Sequence, residues 1–215
     1  MSYNRGRGQR RPRDEREEAP WTPKTKLGAE VAEGKVTTLM EIFENGWRIK
    51  EAEIVRALLP NLKTYVVGVG IVQKQTDAGE LTRFRAVVAV GDDSGWFGVG
   101  HAKAMQMRLA IDKATDVALL NIVPVVQGCG SWECRCGTPH SVPFRLEGKS
   151  GSVSVVIIPG PRGLGLVAGE KLKNLLGLAG IKDAWTQTFG NTSTVSSISS
   201  ALYDAFLGMY KLLNV

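Results

Sequence analysis

Between Leu81 and Val123 the hydrophobic period of the chain changes, and each change marks an element. Phe84, Ala86, Val88 and Val90 fall on one face of an extended segment, with Arg83, Arg85, Val87 and Ala89 on the other, the period-two signature of a strand. Asp92-Asp93-Ser94-Gly95 supplies a turn, because aspartate bonds its own backbone and glycine accepts positive φ. Trp96, Phe97 and Val99 favour a second strand, and Gly98 and Gly100 leave little bulk at its corner. From about Lys103 to Asn121 the period becomes helical, with Met107, Ile111, Ala114 and Ala118 in one narrow sector. Lys103, Gln106 and Lys113 sit to one side of that stripe. A bare backbone corner beside lysines at a helix N-terminus is suited to phosphate.

Upstream, Thr37 or Thr38 can cap a short helix that ends at Asn45-Gly46. Ile49 to Leu59 is a second helical stretch, stopped by Pro60. Tyr65 to Gln75 reads as a strand in which Gly68 and Gly70 permit a bulge. Gln73 to Arg83 then reads as a long hairpin loop. Downstream, Val142–Leu146 and Val153–Ile158 are strands joined at Glu147-Gly148-Lys149-Ser150-Gly151. A helix follows over Ala168–Ala179 and a strand over Ala184–Phe189. Thr192 or Ser193 opens a last helix carrying Val195, Ile198, Leu202, Ala205, Phe206 and Met209. That order implies a parallel or mixed second sheet.

The stretch Gly98-Val-Gly100-His101-Ala102-Lys103 is similar to the last strand and helix of double-stranded-RNA-binding domains. The wider run from Thr82 to Ala104 resembles the N-terminal domain of the universal small-subunit ribosomal protein S-five family. The resemblance continues through Ser141–Trp185 and Thr186–Val195, and covers roughly residues 21 to 212. Trp21-Thr-Pro-Lys-Thr-Lys-Leu27 and a cysteine segment after Val126 point to its archaeal and eukaryotic branch.

What the resemblance implies is an α+β fold. An N-terminal double-stranded-RNA-binding-like domain, a three-stranded sheet plus helix, precedes a second α/β domain of βαβα two-layer type. The expected divisions are a basic arm at 1–26, the first domain with its helices at 27–126, a Cys-containing linker at 127–140 and the C-terminal domain at 141–215. The resemblance also implies a structural constituent of the small subunit, without catalysis of its own. It would bind ribosomal RNA at the head–body junction, support assembly and contribute to accuracy near the mRNA entry path. Its neighbours would be proteins of the S-four and S-eight families. Ribosomal RNA contact is carried to Gln73, Lys74, Gln75, Thr82 and Arg83 in the hairpin loop, and a protein interface to Gly148, Lys149, Ser150 and Gly151. The full expected RNA-binding set adds Arg5, Arg7, Arg10, Arg11, Lys24, Lys26, Arg85, Gly98, Gly100, Lys103 and Arg162. Lys74 and Arg83 could instead form a solvated cross-strand pair near Glu80. A free-standing double-stranded-RNA-binding protein is the second reading.

Composition changes this picture in two places. The net charge is +6, but residues 1 to 26 hold eight Arg or Lys against four Asp or Glu, so most of the excess sits in the arm. The rest of the chain must therefore meet RNA through local patches. No apolar run has membrane-spanning length, and the start has no apolar centre. Three cysteines within residues 129–136 cannot build a disulfide framework and suit a reducing compartment, so a cytoplasmic location is expected.

Two constellations carry sharper chemistry. Cys129, Cys134, Cys136 and His140 offer four ligands, enough for a tetrahedral zinc site. Their spacing is not that of a common finger or ribbon. Reduced thiols in a linker are the preferred reading, zinc is kept as a possibility, and no cofactor is assigned. Gly163-Leu-Gly165-Leu-Val-Ala-Gly169 follows a strand, precedes a helix and has Asp183 twenty residues beyond its first glycine. It approaches a dinucleotide-binding fingerprint and a nucleotide-binding enzyme as the remote alternative. Pro159 and Pro161 interpose a stiff turn, and Asp183 opens its strand instead of closing it.

Overall fold

The computed structural model describes residues 21–213 apart from Arg135. In its first half the turn at Asp92 sets the geometry. The Asp92 carboxylate accepts backbone N–H bonds from Ser94, Gly95 and Trp96 at 3.0, 3.1 and 3.0 Å. Asp93 and Gly95 take φ of 59° and 130°, so the chain reverses between β2 (Gly79–Gly91) and β3 (Trp96–Ala104). With β1 (Lys63–Thr76) and the short β4 (Ile122–Pro124), they form an antiparallel sheet in the order β1-β2-β3-β4. This sheet has four strands where three were expected.

The expected loop at Gln73–Arg83 is strand. β1 and β2 stay paired out to Thr76 and Gly79, leaving Asp77 and Ala78 as the turn. The ribbon is polar on much of its surface, so it lacks the apolar alternation that marks a half-buried strand. The ladder also slips between Val66 and Gly68, a bulge where the glycines allowed one.

The expected helix start at Lys103 is also displaced. β3 runs to Ala104, and α4 spans Met107–Leu120. Alanine favours helix, so Ala102-Lys103-Ala104 read as helix, and pairing of Ala102 and Ala104 with Ala86 and Phe84 of β2 overrides that propensity. The buried stripe of α4 is Ala110, Ala114 and Ala118, whereas Met107 is 52% exposed.

Gly98 and Gly100 lie beneath this helix. A Cβ on Gly98 would sit 2.3 Å from the Ala118 carbonyl oxygen. One on Gly100 would sit 2.1 Å from the Ala114 oxygen and 2.4 Å from the Ala118 nitrogen. Both glycines are buried. They let helix backbone touch strand backbone, and do not form an open corner for phosphate. Neither has positive φ.

In the second half, β5 (Leu146–Ser150), β6 (Val153–Pro159), β7 (Leu166–Val167) and β8 (Ala184–Phe189) form a mixed sheet in the order β5-β6-β8-β7. Only the β7–β8 pair is parallel. The first strand lies later than expected, so Glu147 to Ser150 are paired in it and the reversal falls at Gly151-Ser152. α5 (Glu170–Leu178) and α6 (Val195–Leu213) complete this half.

α6 packs on β5 and β6 and also touches β1 through β4, so it lies between the two sheets. One hydrophobic cluster runs through all these layers, from Val87, Phe97 and Val99 to Leu146, Val155, Leu202 and Phe206. Phe97 and Phe206 meet edge to face with centroids 5.2 Å apart. Backbone joins the halves too, since Asp93 N–H donates to the Leu178 carbonyl at 3.1 Å.

A second cluster holds the N-terminal helices against α4 and the sheet, through Val31, Leu39, Ile42, Ile54, Val90, Leu119 and Ile122. α2 (Leu39–Glu44) and α3 (Ala52–Leu58) occupy the helical stretches expected upstream. α1 (Lys26–Ala32) was not anticipated. Thr25 caps it by accepting from Gly28 N–H at 3.1 Å. Glu51 accepts from Trp21 Nε1 at 3.0 Å, Lys24 N–H at 3.0 Å and Thr25 N–H at 2.7 Å. Residues 21–26 of the expected arm are therefore built into the fold. No helix of the described residues is long and apolar enough to cross a membrane.

Gly100→Ala is expected to lower stability by about 2–3 kcal/mol, since the added methyl meets backbone that cannot rotate away. Gly70→Ala has open space around its Cβ and should change stability by less than about 0.5 kcal/mol. Urea unfolding of the two variants checks the contrast. Equal midpoints would mean that helix contact does not require Gly100.

Candidate nucleic-acid interface

Strand alternation decides which cations meet. Arg85 pairs with Gly70 on β1 and Lys103 on β3, Arg83 pairs with Val72, and Lys74 pairs with Leu81. Directly opposed residues of an antiparallel ladder project from the same face. Lys74, Arg83, Arg85 and Lys103 therefore share one face of the β1–β2–β3 ribbon. Lys74, Arg83 and Lys103 are exposed and Arg85 is half-buried. None of the four forms an ion pair among the described residues.

The reverse face takes the other residues of the expected loop. Gln75 opposes Glu80 and Gln73 opposes Thr82. The Glu80 carboxylate accepts from Gln73 Nε2 at 3.0 Å, so this acid is tied down away from the cations. The alternative pair of Lys74 and Arg83 near Glu80 does not form, because the ladder puts Glu80 on the other face.

Toward the core the basic face ends at α6. A groove of about 260 Å³ is lined by Gly68, Gly70, Arg85, Thr194 and Ser196 among others. The first turn of α6 contains no acid, so its N-terminal dipole adds positive potential to this edge. Gly70, Thr194 and Ser196 were not assigned from sequence. The cue available was the Thr192-Ser193-Thr194 run before a helix.

Other expected residues stand elsewhere. Lys24 is exposed just before α1 and Lys26 at its first position, and Leu27 of that helix packs on the cluster containing Val90, on the α4 side of the sheet. Arg162 is exposed in the turn closed by Leu164 N–H on the Pro161 carbonyl. Arg5, Arg7, Arg10 and Arg11 lie outside the described residues.

In the expected protein-interface hairpin, Lys149 and Gly151 are exposed and Ser150 is half-buried. Gly148 is not available to a partner. A Cβ there would lie 2.1 Å from the Ala201 oxygen, because α6 covers it.

The nucleotide-binding reading loses its acid. Asp183 is buried, its Oδ1 accepts Gly165 N–H at 2.7 Å, and its Oδ2 lies 2.9 Å from His140 Nδ1. It therefore faces protein groups and not a ribose.

The cysteine segment converges. The ligand atoms of Cys129, Cys134, Cys136 and His140 all lie within 4.8 Å of one another. A side-chain hydrogen bond at Thr138, with help from its backbone, draws the Cys136 thiol down to about 6. Burial first, and then Cys136, push the Cys129 thiol up to about 11.

Together the fold and the basic ribbon define a two-unit α+β protein that offers one cationic sheet face. Family profiles match both units. The N-terminal domain of Ribosomal protein S5 matches residues 62–126 and its C-terminal domain matches residues 148–215. The small ribosomal subunit protein uS5 of Cenarchaeum symbiosum is 57% identical over 195 residues, which is 91% of this chain and 89% of that protein. The uS5 of Pyrobaculum aerophilum is 55% identical over 190 residues, 88% of this chain and 87% of its own. That of Thermofilum pendens is 50% identical over 191 residues, 89% and 95% respectively. The chain belongs to the ribosomal protein S5 family.

His101 gives a pH test of this face. Its Nε2 lies 2.9 Å from Ser200 Oγ of α6. Burial, and then the Arg85 guanidinium, hold the imidazole below its ordinary value. The unfolded chain therefore takes up this proton first, near pH 6.5. The associated stability is present above that pH and is lost as pH falls toward the folded value. Unfolding midpoints should drop between about pH 7.5 and 5.5 in the parent chain and drop less in His101→Gln. Parallel curves for the two proteins would remove His101 from the pH dependence.

Proposed function

We propose that this chain is a structural constituent of the small ribosomal subunit and grips ribosomal RNA with the Lys74–Arg83–Arg85–Lys103 face. The carrying observation is four cations on one face of a paired ribbon, free of ion pairs among the described residues. Such a face meets phosphate and sugar, so charge and shape dominate over base readout. The family supports the setting, because the relatives at 50–57% identity are named small ribosomal subunit proteins. Their match extends through the second unit, which disfavours a free-standing double-stranded-RNA-binding protein.

In this reading the protein acts in the cytoplasm, at the head–body junction near the mRNA entry path. It has S-four and S-eight family neighbours, supports assembly and accuracy, and performs no catalysis. Lys149 and Gly151 at the β5–β6 hairpin suit a protein contact because they are exposed while Gly148 anchors the strand on α6. The arginines of residues 1–20 add phosphate contacts.

Filter-binding titrations against salt test the RNA face. Each of Lys74→Ala, Arg83→Ala and Lys103→Ala should weaken binding to small-subunit RNA almost uniformly across sequences and lower the salt slope by about one unit. Stability should move by no more than about 0.5 kcal/mol, since these side chains are exposed. Deletion of residues 1–18 should also flatten the slope while leaving the fold intact. An unchanged slope, with normal co-sedimentation in small subunits, would overturn the assignment of this face.

A further inference from the structure

We propose that Cys129, Cys134, Cys136 and His140 bind one structural zinc ion. The ligand set is three thiols and one imidazole, a closed combination in which protein fills all four positions. Two of its donor separations approach those of a zinc tetrahedron. Zn–S of about 2.3 Å and Zn–N of about 2.0–2.1 Å in a tetrahedron require S···S of about 3.8 Å and S···N of about 3.6 Å. Cys129 Sγ and Cys136 Sγ are 3.5 Å apart, and Cys134 Sγ is 3.6 Å from His140 Nε2. These sulfur and nitrogen donors favour zinc over the oxygen-seeking divalent cations.

The backbone brings these groups together without a core beneath them. Ser141 N–H donates to the Gly128 carbonyl at 2.9 Å and Gly128 N–H donates to the Ser141 carbonyl at 2.8 Å. Gly130 N–H donates to the Val142 carbonyl at 3.2 Å, completing a clasp at the base of the loop. Beyond the clasp, Glu133, Gly137, Thr138 and Pro139 are exposed, and Trp132 is 89% exposed. A loop that buries so little apolar surface gains little to offset the entropy of ordering it, and a metal cross-link supplies that restraint.

The imidazole is oriented from behind. His140 turns Nε2 to the sulfurs, and its buried Nδ1 lies 2.9 Å from Asp183 Oδ2, off the line of an ideal hydrogen bond. That is the carboxylate–histidine arrangement that fixes a ligand ring on its metal. Lys182 and Asp183 N–H groups both reach the His140 carbonyl, at 3.0 and 3.2 Å. Zinc would therefore tie the segment between the two sheets to the entry of β8.

The test uses the full chain purified without chelator. Elemental analysis should return about one zinc per chain. After exchange, cobalt should give the intense visible d–d bands and sulfur-to-metal charge transfer of a tetrahedral thiolate site. Cys134→Ser and Cys136→Ser should each abolish stoichiometric zinc, and Asp183→Asn should weaken zinc about ten- to a hundredfold. Chelation of the parent chain should speed protease cleavage within 129–140 while circular dichroism of the remainder persists, a readout that needs no foldable variant. The proposal is overturned by a metal-free chain with a weak octahedral cobalt spectrum, by full zinc retention when all three cysteines are serine, or by a Cys129–Cys136 disulfide in the chain purified under reducing conditions.

Discussion

The structure depends on how closely two helices can approach two sheets. Gly98 and Gly100 of β3 bring that strand against the Ala114 and Ala118 backbone of α4, and Gly148 of β5 does the same against Ala201 and Ala205 of α6. Both helices present an alanine pair four residues apart, and both strands answer with glycine. Small residues on both sides put backbone in van der Waals contact, and the larger flanking side chains then interlock around the seam. Gly91 repeats the device where the second half docks, since a Cβ there would lie 2.4 Å from the Leu178 oxygen. These contacts fix where α6 lies.

The position of α6 divides one sheet face into two environments. Its inner part, with Val87, Val99 and Phe97, belongs to the shared core. Val195 at the start of α6 marks the limit, with its Cγ1 3.2 Å from where a Gly68 Cβ would stand. Beyond it the same face continues as Arg85, Lys103, Arg83 and Lys74. A longer or shifted α6 would bury those cations without partners, which costs more than a packed helix returns. The helix terminus and the start of the charged stretch therefore coincide for a physical reason.

Strong periods were legible from sequence. The Asp92 turn and the β8 boundaries follow from local chemistry alone. Weak periods were not. α1 has seven residues and depends on Glu51, more than twenty residues away, to hold its approach. The ribbon has no apolar alternation over Gln73–Gln75, so backbone pairing is what makes it a strand. The glycines were ambiguous in a more basic way. Absence of a side chain is the same signal for an approaching phosphate and for an approaching helix, and only the partner distinguishes them. The cations were identifiable as residue types, but their common face depends on ladder parity, which the bulge at Val66/Gly68 resets on β1.

The same logic explains why the Gly163–Asp183 stretch imitates a nucleotide fingerprint. β7 must run parallel to β8, pairing Leu166 with Ala184, so the chain has to turn sharply between Pro159 and Leu166. Gly163 and Gly165 make that turn at φ of 88° and 74°, values a side chain would strain. The turn aims the N–H of half-buried Gly165 at Asp183, which at the entrance to β8 supplies the acceptor at 2.7 Å. The other oxygen of this buried carboxylate lies 2.9 Å from His140 Nδ1. Glycines after a strand and an acid twenty residues later thus arise from closing a parallel strand pair beside the Gly165–Asp183 hydrogen bond. The pattern overlaps with dinucleotide sites because both place glycines in a tight turn that leaves a strand. What separates them is whether the acid faces solvent or protein, and here it faces Gly165 and His140.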